Sequence, residues 1–187
     1  MQNLQNAWLD AWHFAARAHR QQKLPGQDLP YIVHVGAVAM EILVAHQQSA
    51  FERPVVAVQC ALLHDVLEDT ATSESELVAA FGPEVAAGVR ALTKDASLSK
   101  HEAMRDSLHR IQMQPREIWA VKLADRITNL APPPSHWSPA KIAAYRVEAQ
   151  LIFDTLKDAH AGLAARISDR IAHYPPSQPM ALAIEMP

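Results

Sequence analysis

The feature that most restricts this chain is an apolar run that ends in a crowd of ionisable groups. Residues 54–67 read Pro-Val-Val-Ala-Val-Gln-Cys-Ala-Leu-Leu-His-Asp-Val-Leu, and Glu68, Asp69 and Thr70 follow directly. The run suffices for about three or four helical turns. Pro54 suits a first helical position, where its missing N–H is not needed. A helix apolar around most of its girth is normally buried. Residues three and four apart share a helix face. His64 is therefore expected over Glu68, and Asp65 over Glu68 and Asp69, all on one stripe. Four such groups cannot enter a core without partners. Stacked carboxylates repel unless a positive charge holds them, and a cation is the natural candidate.

The rest of the chain bounds what can surround that run. It has 187 residues, 49% hydrophobic and 20% charged, which points to one domain with a substantial core. Helical periodicity dominates and no strand alternation stands out. A net charge of −3 gives no basic field for nucleic acid or an anionic membrane surface. No apolar run approaches the roughly 20 residues that span a bilayer. The N-terminus has no positive flank before an apolar core, so no secretory signal is expected. Cys60, the single cysteine, lies in the buried run and reads as an inert core residue. A reducing cytoplasm is the compartment this composition suggests.

The pattern predicts an all-α bundle of eight to ten helices over residues 1–174, with 175–187 a tail that is a candidate for disorder. A first helix is expected over 5–22, with Trp8, Trp12, Ala15 and Ala16 at helical spacing. A Pro-Gly loop follows, then a helix over 33–46. Ser73 and Glu76 form a capping-box pattern, and Gly82-Pro83 reads as a stop and restart before a helix over 83–93. Residues 96–114 read as a polar, mobile connection containing a helix. The helix over 115–130 is apolar on a broad face, yet Lys122, Asp125, Arg126 and Asn129 are embedded in it. A long helix over 139–160 and a last one to 174 complete the bundle.

Four side chains look like metal ligands: His34, His64, Asp65 and Asp125. They lie on three separate helices, and spacing alone does not bring them together. A capping or surface role stays open for His34, and a buried salt bridge for Asp125. Imidazole and carboxylate without thiolate suit Mn²⁺, Fe²⁺ or Zn²⁺. Such an ion acidifies water and polarises a phosphoryl group. Glu68 and Asp69 would then orient or deprotonate the water and serve the leaving group.

Three segments, in this order, carry a resemblance: Tyr31-Ile32-x-His34, His64-Asp65-x-x-Glu68-Asp69, and Lys122-Leu123-Ala124-Asp125-Arg126-x-x-Asn129-Leu130. Together they resemble the HD-domain phosphohydrolases, and more narrowly the (p)ppGpp hydrolase domain of RelA/SpoT proteins, from about Ala15 to about Gln150. The chain has the size of that domain alone and is similar to the stand-alone small alarmone hydrolases. The resemblance implies one Mn²⁺ on His34, His64, Asp65 and Asp125, with Glu68 and Asp69 in catalysis. It implies release of pyrophosphate from the 3′ position of guanosine tetra- or pentaphosphate. It also places Asn129 near the nucleoside, and Lys100, Lys141 and Tyr145 near phosphates or nucleotide.

Simple chemistry adds to that list. A substrate with two diphosphates needs several cations, and Arg20, Lys23, Lys100, Lys122 and Lys141 could supply them. Tyr31 reads as a wall of the pocket or as a staple onto its helix. One departure stands out. Where the family carries an adjacent Arg-Lys pair against guanine, this chain has Lys23-Leu24-Pro25. Leucine offers a base only apolar contact, whereas a guanidinium stacks and hydrogen-bonds. Another nucleotide, such as NADPH or a deoxynucleotide, is therefore the alternative substrate. A non-catalytic nucleotide-sensing module is the alternative of a different class.

Overall fold

In the computed structural model, which describes residues 3–176, the apolar run forms helix α3 (Pro54–Leu63). Every residue from Val56 to Leu63 is buried, as its composition requires. Helix α1 (Leu4–Ala18) packs on it through Ala7, Ala11 and Ala15. Side chains of a single carbon at that spacing let the two backbones approach closely. Helices α2 (Ile32–Gln48), α6 (Pro83–Leu92) and α8 (Arg116–Asn129) cover its remaining sides. Gly88 marks how tight this is. A Cβ there would lie 2.6 Å from Ile118 Cδ1 and 2.8 Å from Cys60 Sγ.

Helix α5 (Glu74–Phe81) starts at the expected capping box of Ser73 and Glu76. It stops at Gly82, whose φ of 84° is a left-handed conformation that favours glycine. Pro83 then opens α6. Helices α7 (Lys100–Gln112), α9 (Pro139–Leu156) and α10 (Ala161–Ala172) complete the bundle, with a 3-10 turn at Lys157–Ala159. Counting the single turn α4 (Val66–Asp69), the described residues hold ten α-helical segments. None is long and apolar enough to cross a membrane.

Several expected boundaries shift for local reasons. The first helix ends at Ala18 rather than 22, because the Gln22 N–H bonds back to the His19 carbonyl in a turn. The ninth ends at Leu156, because His160 becomes the N-cap of α10 by accepting from the Leu163 N–H. The helix expected within 96–114 is α7, opened by a second capping box, Ser99 and Glu102. Of the tail, residues from 177 onward fall outside the described residues.

The most consequential correction concerns the central run, which is not one helix. It breaks at His64-Asp65, between α3 and α4. The His64 Nδ1–H donates to the Ala61 carbonyl at 2.7 Å, the acceptor that a continuing helix would offer to the Asp65 N–H. The side chain thus competes with the backbone for that acceptor. The break turns His64 and Asp65 inward and sends Glu68 and Asp69 to separate partners.

Candidate metal centre and active site

The start of α2 meets the ends of α3 and α8, and there three distant residues converge. His34 Nε2 lies 3.3 Å from His64 Nε2 and 3.4 Å from Asp125 Oδ1. His64 Nε2 lies 3.8 Å from the same oxygen. Asp65, from the break, brings Oδ2 to 2.9 Å from His64 Nε2 and 3.8 Å from His34 Nε2. All three of His34, His64 and Asp125 are buried.

The orientation of both imidazoles is fixed from behind. His64 Nδ1 is committed to Ala61 O. Thr128 Oγ1 spends its proton on the Asp125 carbonyl at 2.8 Å, so it can only accept from His34 Nδ1, 3.3 Å away. With both Nδ1 atoms protonated, both neutral rings direct an Nε2 lone pair into the cluster. Two lone pairs facing each other beside two carboxylates need a positive charge between them. The donor set therefore fits a divalent cation, with outer partners that orient the ligand atoms. The same preference for positive charge acts on protons. Burial disfavours the His64 imidazolium, yet Asp65 and then Asp125 raise it to about 9.

Asp125 is held on both oxygens. Lys122 Nζ donates to Oδ2 at 3.0 Å and Asn129 Nδ2 to Oδ1 at 2.5 Å. Burial opposes its charge, but Lys122 above all keeps the carboxyl well below the usual range. Lys122 is itself buried. The structure therefore moves it from the surface cations, where the substrate argument put it, to a partner of Asp125. Tyr31 donates its hydroxyl to Asp65 Oδ2. The ring also packs between His19 and His34, with centroids 5.0 Å and 5.3 Å away.

Glu68 and Asp69 point to either side of this cluster. Glu68 accepts from the Lys94 backbone at 3.0 Å and from Lys94 Nζ at 2.9 Å. Asp69 accepts from Gln22 Nε2 at 2.9 Å. Partial burial raises the Asp69 carboxyl above its ordinary range, with Asp65 and Glu68 adding to the effect and Gln22 opposing it.

Four of the remaining candidates line two cavities. Arg20 lines one of about 580 Å³, together with Arg17, Gln22, Asp69 and Thr72. Lys100, Lys141 and Tyr145 line another of about 430 Å³, between α7 and α9, with Met104 and Glu148. Lys141 Nζ sits 4.2 Å above the Trp137 ring. Lys23 is exposed and ion-paired with Asp28 inside its own loop. That loop is clasped by backbone bonds from Leu24 N–H to Leu29 O and from Tyr31 N–H to Gln22 O.

Three residues of this region escaped the sequence argument. Lys94 follows a helix end with no periodicity to mark it. Gln22 was absorbed into a first helix drawn too long. Arg126, buried beside Asp125, was noted only as embedded in an apolar face. It donates to Glu148 at 2.6 Å and stacks 4.3 Å over the Tyr145 ring. An arginine inside an apolar helix face was the available signal.

Comparison with known proteins agrees with the fold. The profile of the HD domain matches residues 11–162. The chain is 30% identical over 167 residues to the guanosine-3′,5′-bis(diphosphate) 3′-pyrophosphohydrolase MESH1 of Drosophila melanogaster, covering 87% of this chain and 91% of that one. The human protein of the same name is 35% identical over 142 residues, 73% of this chain and 77% of its own length. A structure described as a metazoan ortholog of SpoT that hydrolyses ppGpp superposes with a TM-score of 0.78. It is 31% identical, covering 89% of this chain and 94% of that one. A protein of Listeria monocytogenes EGD-e, 23% identical with a TM-score of 0.61 over 78% of this chain and 98% of its own, shares the fold. This chain belongs to the HD-domain family.

Proposed function

We propose that this protein is a Mn²⁺-dependent guanosine-3′,5′-bis(diphosphate) 3′-pyrophosphohydrolase acting in the cytoplasm, with residues 1–174 as its catalytic domain. The observation that carries the reading is the convergence of His34, His64, Asp65 and Asp125 with both imidazole Nε2 atoms directed inward. It sits in a chain that spans about nine-tenths of a relative bearing that activity in its name. A divalent ion on those four residues supplies Lewis acidity for a phosphoryl oxygen and for water.

The chain's own residues account for the proton movements. Water attacks the phosphorus attached to the 3′ oxygen, forming one P–O bond while the bond to that oxygen breaks. Glu68, steadied by Lys94, takes the water's proton. Asp69, whose carboxyl partial burial raises above its ordinary range, gives one to the departing 3′ oxygen. Pyrophosphate and GDP or GTP result. Asn129 borders the nucleoside, Tyr31 walls the pocket, and Arg20, Lys100, Lys141 and Tyr145 meet the phosphates.

The test is a nucleotide panel incubated with the purified protein, with and without Mn²⁺, and products separated. Pyrophosphate and GDP from ppGpp, only with the metal, is the expected result. Intact ppGpp beside cleaved NADPH or deoxynucleotide would reassign the substrate while keeping the site. Tight binding without turnover of any nucleotide would favour a sensing module.

A further inference from the structure

The connection between α1 and α2 reaches Asp69 through a chain of hydrogen bonds whose directions are all fixed. Gln22 Nε2 lies 2.9 Å from Asp69 Oδ2, and Gln22 Oε1 lies 2.7 Å from His19 Nδ1. Gln22 Nε2 donates to Asp69 Oδ2, which accepts both in the ionised acid and in one that carries its proton on Oδ1, and the Gln22 carbonyl faces His19. That carbonyl only accepts, so His19 carries its proton on Nδ1. His19 gives to Gln22, and Gln22 gives to Asp69.

Each member is anchored. The Gln22 N–H bonds to the His19 carbonyl at 2.9 Å, and the Gln22 carbonyl accepts from the Tyr31 N–H at 2.9 Å. His19 is 3% exposed and packs on Tyr31. Its Nε2 is buried with no hydrogen-bond partner, which costs stability. An apolar ring would fill the same space without that cost. What histidine adds at this position is the Nδ1–H aimed at Gln22.

We propose that His19 and Gln22 are positioning residues that hold the Asp69 carboxyl for its proton transfer to the leaving oxygen, with Oδ2 fixed by Gln22 and Oδ1 left to carry the proton. This rests on the role given to Asp69 above. An acid misplaced by a fraction of an ångström transfers protons poorly, while ground-state binding of the substrate is untouched. The signature is thus a loss in kcat without a matching change in KM.

The experiment uses Mn²⁺-loaded protein and ppGpp, reading pyrophosphate release and bound metal. Gln22→Leu and His19→Phe should each lower kcat by about tenfold or more. KM should stay within about twofold, with metal content unchanged. His19→Asn, whose side-chain amide can present a donor near the Nδ1 position, should recover most of the lost rate, which mere core filling by Phe does not. In an Asp69→Asn background, Gln22→Leu should cost nothing further, because the pair acts as one unit. Full kcat in Gln22→Leu, or an undiminished loss in the Asp69→Asn background, would overturn the positioning role. If Asp69→Asn is itself fully active, the assignment of Asp69 falls first and takes this inference with it. A slow Asp69→Asn beside a fast Gln22→Leu would sink only the inference.

Discussion

Lys94 holds Glu68 with both its backbone N–H and its ammonium, at 3.0 Å and 2.9 Å. Burial works against the Lys94 charge, yet Glu68 more than offsets it and keeps the ammonium above its ordinary range. The two residues are 26 apart and join α4 to the segment after α6.

Glu68→Gln keeps the shape but removes the base. Turnover of ppGpp should fall by on the order of 10²-fold or more, while bound metal measured by elemental analysis stays at the wild-type level. Lys94→Met should fall in the same direction but less far, since the backbone N–H still holds one carboxylate oxygen. Wild-type kcat in Glu68→Gln would remove this residue from the mechanism.

Metal should stabilise the fold through the same four side chains. An ion that binds only the native state at about 100 times its Kd adds about 2.7 kcal/mol. Thermal melts should therefore rise with added Mn²⁺ and drop back with chelator. His64→Ala and Asp125→Ala should show no Mn²⁺-dependent rise and no activity. A wild-type melting curve indifferent to Mn²⁺ would contradict the ligand set.

Lys122 offers a contrast between two roles. Because it is buried on Asp125, Lys122→Met should loosen a ligand rather than a substrate contact. Metal affinity should weaken by about 10- to 100-fold, the usual range for a lost outer partner. KM for ppGpp, measured at saturating metal, should stay near wild type. A raised KM with unchanged metal affinity would return Lys122 to the substrate.

Packing at the α3–α6–α8 junction can be probed at Gly88. Gly88→Ala would push a methyl group against Ile118 Cδ1 and Cys60 Sγ, an overpacking that costs about 1–3 kcal/mol. The urea midpoint should drop accordingly. Cys60 gives a parallel readout. Burial pushes its thiol up, so it should resist thiol reagents until the protein unfolds.

The helical class and the identity of the clustered side chains could be read from residue types, because apolar periodicity and the order of three motifs are local signals. Ser73 and Glu76 announced α5, and a helix was expected within 96–114, where Ser99 and Glu102 fix the start of α7. The break at His64 was not legible. It depends on an imidazole competing for one backbone carbonyl, an effect that no periodicity records. Lys94 on Glu68 and Gln22 on Asp69 are contacts across 26 and 47 residues, and only the packed fold brings them together. The burial of Lys122 on Asp125 was not legible either, because it is set by how α8 lies in the bundle and not by its own neighbours in sequence.

The backbone clasp from Tyr31 N–H to Gln22 O has an evolutionary corollary. It closes residues 23–30 into a cassette whose two hinge points, Gln22 and Tyr31, are pinned to Asp69 and Asp65. Residues inside the cassette can be lengthened, shortened or exchanged without displacing either carboxylate. The Leu24-Pro25 pair of this chain lies inside that cassette, away from both pinned carboxylates.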